Sequence, residues 1–242
     1  MSEPNDVAVA GPSPKRLFLA VNLSIASTRR VAEVLDRLRR NTEGGRGPKV
    51  SWVPPANLHV TLKFLGWARP ESVLALRERV TAGVASRKPF DLEAVGTGAF
   101  PEVTSARVLW VGVRDGSGAL AALARDVDDW TAGLGFDRET RAYHPHVTLG
   151  RVRDSGGADC SELLASAGVA SFGSSSIREV VLYESVTTSS GSEYSALFRA
   201  PLDAVSGHTE RQTRTVDLPN DSRDELRNVP GSSGSAGPEG TD

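Results

Sequence analysis

The sequence predicts a mixed fold of α-helices and β-strands that is composed of two related halves. Stretches with the alternating pattern of a strand are separated by stretches in which apolar residues recur at helical spacing. The tetrapeptide His-Val-Thr-Leu occurs at residues 59–62 and again at residues 146–149. Because the chain has only 4 histidines in 242 residues, two diverged copies of one structural unit explain the repeat better than chance does.

The individual elements follow from local patterns. Ser24 is a suitable N-cap for a helix at residues 26–40, and Pro70 suits the first turn of a second helix that extends to about residue 85. Further helices are predicted at residues 120–134 and, as a short segment, near residues 161–166. Strands are predicted at residues 16–23, 50–53, 58–65, 90–95, 107–113, 146–152, 177–186 and 193–201, the last two as a hairpin.

The folded part is expected to be one domain at residues 15–203. Residues 1–14 are rich in proline and lack apolar periodicity, so we expect them to be disordered. We expect the same of residues 204–242, because no aromatic residue occurs from Ser206 onward and Ser, Thr, Gly, Pro, Asp and Arg dominate. Such a segment buries too little apolar surface to offset its ordering entropy.

Composition excludes several classes of protein. The net charge of −2 argues against a globally basic nucleic-acid binder, although it is compatible with a local basic groove. A single cysteine, Cys160, excludes an intrachain disulfide framework and any multi-cysteine metal site. No apolar run approaches the roughly 20 residues that span a bilayer, and no signal-peptide pattern is present. We therefore expect a soluble, cytoplasmic protein without a membrane partner.

The repeated tetrapeptide carries the chemistry. Residues i and i+2 of a strand point to the same face, so His59 projects with Thr61, and His146 with Thr148. If the two faces meet, they line a cleft with two imidazoles and two hydroxyls. One imidazole can act as an acid while the other acts as a base, and hydroxyls can donate to phosphate oxygens. This arrangement suits in-line displacement at phosphorus without a metal or a covalent nucleophile.

Two other interpretations of the histidines are weaker. Purely structural histidines do not explain why the same tetrapeptide occurs twice. A metal site could use His59, His144 and His146. However, no Asp, Glu or Cys lies at short ligand spacing beside either motif, and threonine is a poor zinc ligand. We therefore predict neither a metal nor another cofactor.

The stretches RLFLAVNL, WVPPANLHVTLKFLG, HPHVTLGRV and LYES followed by YSALFRAPL are similar, in order and spacing, to one branch of the 2H phosphoesterase superfamily. That superfamily is defined by two H-x-[ST]-x motifs, and the branch is the RNA 2′,3′-cyclic phosphodiesterases, historically named 2′-5′ RNA ligases. The resemblance spans roughly residues 15–203. It implies a bilobal α+β fold with two pseudo-symmetric lobes, in which each lobe has an antiparallel sheet facing a central cleft and helices outside.

The resemblance also implies an activity, namely hydrolysis of RNA 2′,3′-cyclic phosphate ends to 2′-phosphomonoesters. By this resemblance His59 corresponds to the general acid that protonates the departing 3′ oxygen, and His146 to the base that activates water. Thr61 and Thr148 correspond to phosphate-binding residues, as does Arg151. The expected partner is RNA with a 2′,3′-cyclic phosphate terminus, and the expected assembly is a monomer.

Strand parity complicates the assignment of the neighbouring residues. Arg151 is five residues from His146, which nominally places it on the opposite face unless a bulge near Gly150 returns it to the cleft. Lys63 shares the parity of His59 and could add positive potential there. Phe18, Trp52 and Tyr143 are candidates to stack on a base, although each is also a reasonable core or rim residue.

Two alternative functions remain open on the sequence. One is an RNA-end binding or repair-accessory protein that uses the same cleft without turnover. The other is a 2H enzyme with a different substrate, either 2′-5′-linked RNA or a small cyclic nucleotide. Both would share the phosphate chemistry, and the sequence does not separate them from the cyclic phosphodiesterase.

Overall fold

The computed structural model describes residues 13–45, 47–168, 171–188 and 191–203. Of the two segments predicted to be disordered, residues 1–12 and 204–242 lie outside the described residues, and only Ser13 and Pro14 lie within them. The described strands are β1 (Lys15–Val21), β2 (Val50–Trp52), β3 (Val60–Ala68), β4 (Phe90–Phe100), β5 (Val108–Arg114), β6 (His146–Val152), β7 (Ser171–Ile177), β8 (Glu179–Thr188) and β9 (Gly191–Pro201). The described α-helices are α1 (Ile25–Thr42), α2 (Ser72–Val84), α3 (Ala119–Ala132) and α4 (Ser161–Ala165).

All strand pairs are antiparallel, and within the described ranges they form one strongly curled sheet in the order β7-β4-β5-β6-β3-β1-β8-β9, with β2 pairing onto β6. The order divides into two halves of four strands. One half contains β3, β1, β8 and β9, and the other contains β6, β5, β4 and β7. The predicted α+β class with two pseudo-symmetric lobes is therefore confirmed.

The two halves meet where the repeated tetrapeptides lie. Strands β3 and β6 pair through Val60 and Val147, the second residue of each copy. A pseudo-two-fold axis between these valines relates the copies. The sheets of the two lobes are thus continuous at this point, and the strands pair through only this one described bridge before they diverge into a cleft.

The helices cover the outer faces of the sheet, where the core lies. Helix α1 packs against β7 and α4, whereas α2 packs against β8 and β9 and α3 packs against β3. Ser24 caps α1 as predicted, since its side-chain oxygen accepts a hydrogen bond from the Ser27 amide. The helical face of α1 is buried at Val31, Val34, Leu35 and Leu38. In the described part of the chain no helix combines the length and the hydropathy needed to cross a bilayer.

Two strands differ from the prediction because polar and small residues hide them. Strand β7 was not predicted, since its sequence SFGSSSI lacks apolar alternation. Ser175 is nevertheless buried there and accepts a hydrogen bond from the Ser24 amide at 2.9 Å, which explains a polar residue on the inner face. Strand β4 continues past its predicted end at residue 95 through a register shift around Gly96, whose φ is +59°.

Candidate active site

The two histidine motifs lie next to each other in the sheet. His59 directly precedes β3, and His146 is the first residue of β6. Continuing the antiparallel register from Val60 and Val147 places His59 across from Thr148 and Thr61 across from His146. These four side chains point to the face opposite the buried valines. The structure therefore brings together the two imidazoles and two hydroxyls that the sequence predicts.

The ring of His59 is held on several sides. Its Nδ1 donates to the carbonyl oxygen of Asn57 at 2.7 Å, and its Nε2 lies 3.0 Å from the Thr61 hydroxyl oxygen. Phe18 stacks on the ring with 4.8 Å between centroids, and Tyr194 meets it edge-on at 5.4 Å. Because Nδ1 faces a carbonyl, it carries the proton in the neutral ring, and Nε2 is the nitrogen left for proton transfer.

His146 repeats this arrangement in the other lobe. Its Nδ1 donates to the carbonyl oxygen of His144 at 2.7 Å, again two residues upstream. Phe100 meets its ring edge-on at 5.0 Å between centroids. The same tautomer is therefore fixed in both copies, and both imidazoles present Nε2 as the reactive nitrogen.

The surroundings of both imidazoles disfavour the charged form. Burial lowers the pKa of His59 to about 4, the hydrogen bond to the Asn57 carbonyl opposes this shift, and charge on His146 adds to it. Burial also lowers the pKa of His146, against the opposing hydrogen bond to the His144 carbonyl, and the charges of Arg151 and His144 lower it further. The effect of His146 on the pKa of His59 places the two rings within electrostatic reach of each other.

Arg151 lies in the cleft because β6 contains a bulge. The partners of Thr148 and Arg151 on β5 are Trp110 and Val108, so one extra residue of β6 lies between them. Leu149 and Gly150 are both buried, which breaks the alternation at this point. The bulge that the parity argument required near Gly150 is thus present, and Arg151 lines the same cavity as Thr148.

The expected contribution of Lys63 to the cleft is wrong. A register shift in β3 between the partners of Thr61 and Lys63 turns the lysine to the helix side. Its side chain is only 4% exposed and forms an ion pair with Asp128 of α3 at 2.7 Å. Phe64, the next residue, takes the cleft-facing position that parity assigned to Lys63.

The three predicted stacking residues have different positions. Phe18 lines the cleft, where it stacks on His59. Tyr143 donates its hydroxyl to the Thr61 carbonyl at 3.1 Å, which ties the segment before β6 to β3. Trp52 packs against the core. Only Phe18 therefore faces the cavity among the positions described for these three.

Several residues of the site were missed from the sequence. The cavity has a volume of about 270 Å³ and is lined by residues of both lobes, namely Arg16, Leu17, Phe18, Val53, Asn57, His59, Thr61, Phe64, Thr148, Arg151, Ser185, Ser192 and Tyr194. Ser185, Ser192 and Tyr194 come from the β8–β9 hairpin, which the Asn57 side chain holds by donating to the Ser192 carbonyl at 2.6 Å. Ser185 and Tyr194 lie in the stretches LYES and YSALFRAPL that carry the resemblance, but nothing within the hairpin predicts a place in the site, because it reaches the site only through the sheet order.

A metal centre has no counterpart in the described part of the chain, where no group of three or more His, Cys, Asp and Glu side chains is placed to hold an ion. The third histidine, His144, is exposed, and its ring lies 6.1 Å from that of Phe100 between centroids. The site therefore offers imidazoles, hydroxyls and a guanidinium as its chemical groups.

The geometry agrees with the comparison to known families. Residues 27–187 match the model of the 2′-5′ RNA ligase superfamily. The chain belongs to this superfamily. It is 34% identical to the RNA 2′,3′-cyclic phosphodiesterase of Archaeoglobus fulgidus over 75% of this chain and 97% of that protein. It is 32% identical to the enzyme of the same name from Methanothermobacter thermautotrophicus, over 74% of this chain and 94% of that protein.

Solved structures of similar proteins have the same fold. Escherichia coli LigT in complex with 3′-AMP superposes with a TM-score of 0.60 at 25% identity, covering 78% of this chain and 98% of that one. TT0787 of Thermus thermophilus gives a TM-score of 0.62 at 23% identity, over 78% and 98% of the two chains. The predicted resemblance to the 2H phosphoesterases is therefore confirmed.

Proposed function

We propose that this protein hydrolyses the 2′,3′-cyclic phosphate at the end of an RNA to a 2′-phosphomonoester, with His59 and His146 as paired acid and base. The observation that carries the proposal is the bridge between Val60 and Val147, which brings the two motifs side by side, each with an imidazole whose Nδ1 faces a carbonyl and whose Nε2 is left for proton transfer. The homology to enzymes named RNA 2′,3′-cyclic phosphodiesterase supports the choice of substrate.

The reaction needs a base on one side of phosphorus and an acid on the other. One neutral imidazole takes a proton from water through Nε2 as the water oxygen forms a bond to phosphorus. The bond from phosphorus to the 3′ oxygen breaks on the opposite side. The second histidine, in its protonated form, donates a proton to that oxygen. The products are a 2′-phosphate and a free 3′-hydroxyl, and solvent returns the proton from the base to the acid.

The remaining cleft residues would hold the phosphate. The Thr61 and Thr148 hydroxyls can donate to the two non-bridging oxygens, and Arg151 supplies the positive charge that balances the anion. No step uses a metal. A bound anion also favours the protonated form of a nearby imidazole, so substrate binding would itself help to charge the acid.

The superfamily resemblance assigns the acid to His59 and the base to His146. The pKa of His59 is lowered to about 4, so this assignment requires the substrate anion to recruit a proton to His59. A substrate with sulfur in place of the 3′ oxygen separates the roles, because a thiolate leaves without protonation. Loss of the acid is then rescued, whereas loss of the base is not.

The test is steady-state hydrolysis of an oligonucleotide that ends in a 2′,3′-cyclic phosphate, with the position of the product phosphate assigned. His59→Ala and His146→Ala should each reduce kcat by about 10²–10⁴-fold, as expected for a general acid or base. With the 3′-sulfur substrate the defect of His59→Ala should shrink and that of His146→Ala should persist. Activity should be retained in EDTA.

The exposed His144 is the matched control, since His144→Ala removes an imidazole but leaves the carbonyl that orients His146. Near-wild-type turnover by both motif variants would exclude the mechanism. Strict dependence on added metal would favour a metal enzyme. Tight binding of the oligonucleotide without any product would instead identify an RNA-end binding protein.

A further inference from the structure

The cleft face of β3 carries two exposed aromatic rings. Phe64 is 56% exposed and Trp67 is 74% exposed. Single exposed apolar side chains are common on protein surfaces. Here two exposed aromatic side chains lie three positions apart on one strand, beside an open cleft. Trp67 lies outside both histidine motifs, and the proposed chemistry makes no use of it.

The strand register places both rings on the face of the cleft. On β1 the alternate residues Ala20, Phe18 and Arg16 share one face, and Phe18 and Arg16 both line the cavity. Their partners on β3 are Thr61, Phe64 and Trp67, in the same order. Cross-strand partners share a face, so Trp67 continues the row that begins at Thr61.

Trp67 is too far along this row to contact the reacting phosphate. Ala20, the partner of Thr61, and Arg16, the partner of Trp67, are four positions apart on β1. At about 3.3 Å per residue this spacing is roughly 13 Å. The row therefore begins at the catalytic end of the cleft and ends at Trp67, whose cross-strand partner is the cationic Arg16. Arg16 is itself exposed.

We propose that Trp67, Phe64 and Arg16 form a subsite for the nucleotides that precede the cyclic phosphate in a single-stranded RNA. This inference rests on the proposed function and extends it to the substrate class, because the subsite selects an oligonucleotide over a mononucleotide. Aromatic side chains stack on bases without regard to sequence, and an arginine beside them neutralises the backbone. Continuity with the catalytic cleft and the positive charge of Arg16 favour RNA over a second copy of the chain.

The test compares two substrates that share the reacting end. These are cytidine 2′,3′-cyclic phosphate and a hexanucleotide that ends in the same cyclic cytidylate. Trp67→Ala should lower the ratio of hexanucleotide to mononucleotide kcat/KM at least fivefold, since base stacking on an aromatic ring is worth about that factor or more. Trp67→Phe should retain most of the ratio. Arg16→Ala should make the slope of log KM for the hexanucleotide against log salt concentration shallower, by the equivalent of about one phosphate contact.

The matched control is Leu74→Ala, because Leu74 is 63% exposed on α2, away from the cleft. It should leave the substrate ratio unchanged. An unchanged ratio in Trp67→Ala would overturn the subsite. A shift in sedimentation from dimer to monomer, with the ratio unchanged, would assign Trp67 to an interface between copies of the chain instead.

Failure of this inference can be separated from failure of the proposed function. Fluorescence anisotropy of a labelled hexanucleotide with a 2′-phosphate end measures binding without turnover. If wild-type protein hydrolyses neither substrate but loses affinity for this probe on Trp67→Ala, the subsite stands and the proposed catalysis does not. If hydrolysis proceeds and affinity is unaffected by Trp67→Ala, the catalysis stands and the subsite does not.

Discussion

The half-buried position of His59 leads to a quantitative prediction about how stability depends on pH. Its folded pKa is about 4, against an ordinary value of 6.5. Between these values the unfolded chain binds more protons than the folded one, so stability falls as the pH falls. The contribution of the neutral ring is fully present above pH 6.5 and is lost as the pH decreases to about 4.

The magnitude follows from the two pKa values. Proton linkage predicts that His59 alone lowers the free energy of unfolding by about 2 kcal/mol between pH 7 and pH 5. His59→Gln should remove this part of the pH dependence, because glutamine keeps a donor for the Asn57 carbonyl but does not titrate. The absolute stability of the variant does not matter here, since only the change with pH is compared.

The assay is urea unfolding of wild type, His59→Gln and His144→Gln at pH 7 and pH 5. His144 is the control because its ring is exposed, so the change with pH in His144→Gln should follow that of wild type. If wild type and His59→Gln lose the same free energy between the two pH values, His59 is not buried in its neutral form. The lowered pKa of His59 would then be wrong, whereas its contacts with Phe18 and Asn57 would be unaffected.

Two further predictions follow from the same contacts. The profile of kcat/KM against pH for cytidine 2′,3′-cyclic phosphate should be bell-shaped with its maximum between pH 4 and pH 6.5, because the pKa of His59 is about 4 and that of His146 is also lowered; a maximum at or above pH 7 would contradict it. Lys63→Met should lower the free energy of unfolding by about 2 kcal/mol, since it removes the buried ammonium from Asp128, which keeps only Arg138 and the Glu139 amide as partners. The folded Lys63→Met enzyme should nevertheless keep the wild-type kcat/KM. The exposed control Lys88→Met should change neither the free energy of unfolding nor kcat/KM. A loss of kcat/KM in Lys63→Met would show that Lys63 acts in the cleft after all.

Much of the fold could be predicted because local signals and the repeat agree with the tertiary structure. The Ser24 cap and the apolar face of α1 are local properties, and both are present. The repeat predicts two halves, and the bridge between Val60 and Val147 is the point where the halves meet. Strand β7 was missed, because Ser175 is buried by its hydrogen bond to α1 rather than by apolarity.

Long-range contacts account for most of what was missed in the site. Tyr194, Ser185 and Ser192 reach the cavity because β8 pairs with β1 and β9 pairs with β8. Such a sheet order is a property of the whole chain, and no spacing within the hairpin encodes it. The sequence also does not predict that a carbonyl two residues upstream orients each imidazole, since every residue has a carbonyl.

One physical cause explains how both parity arguments were resolved. Strict alternation places Lys63 in the cleft and Arg151 outside it, and the structure reverses both positions. In each copy the final leucine of the tetrapeptide, Leu62 or Leu149, is an extra residue in the register, so the alternation restarts one residue later. Gly150 suggested this bulge in the second copy, but nothing comparable marks the first.

The repeat itself predicts the bulge in the first copy. If the two tetrapeptides are copies of one unit, a bulge required at the last residue of one is also expected at the last residue of the other. Applied to the first copy, that bulge moves Lys63 to the helix side and brings Phe64 into the cleft, at the same offset from His59 that Arg151 has from His146. The pseudo-symmetry therefore predicts one apolar and one cationic wall at equivalent positions, and an RNA end offers a base and a phosphate to match them.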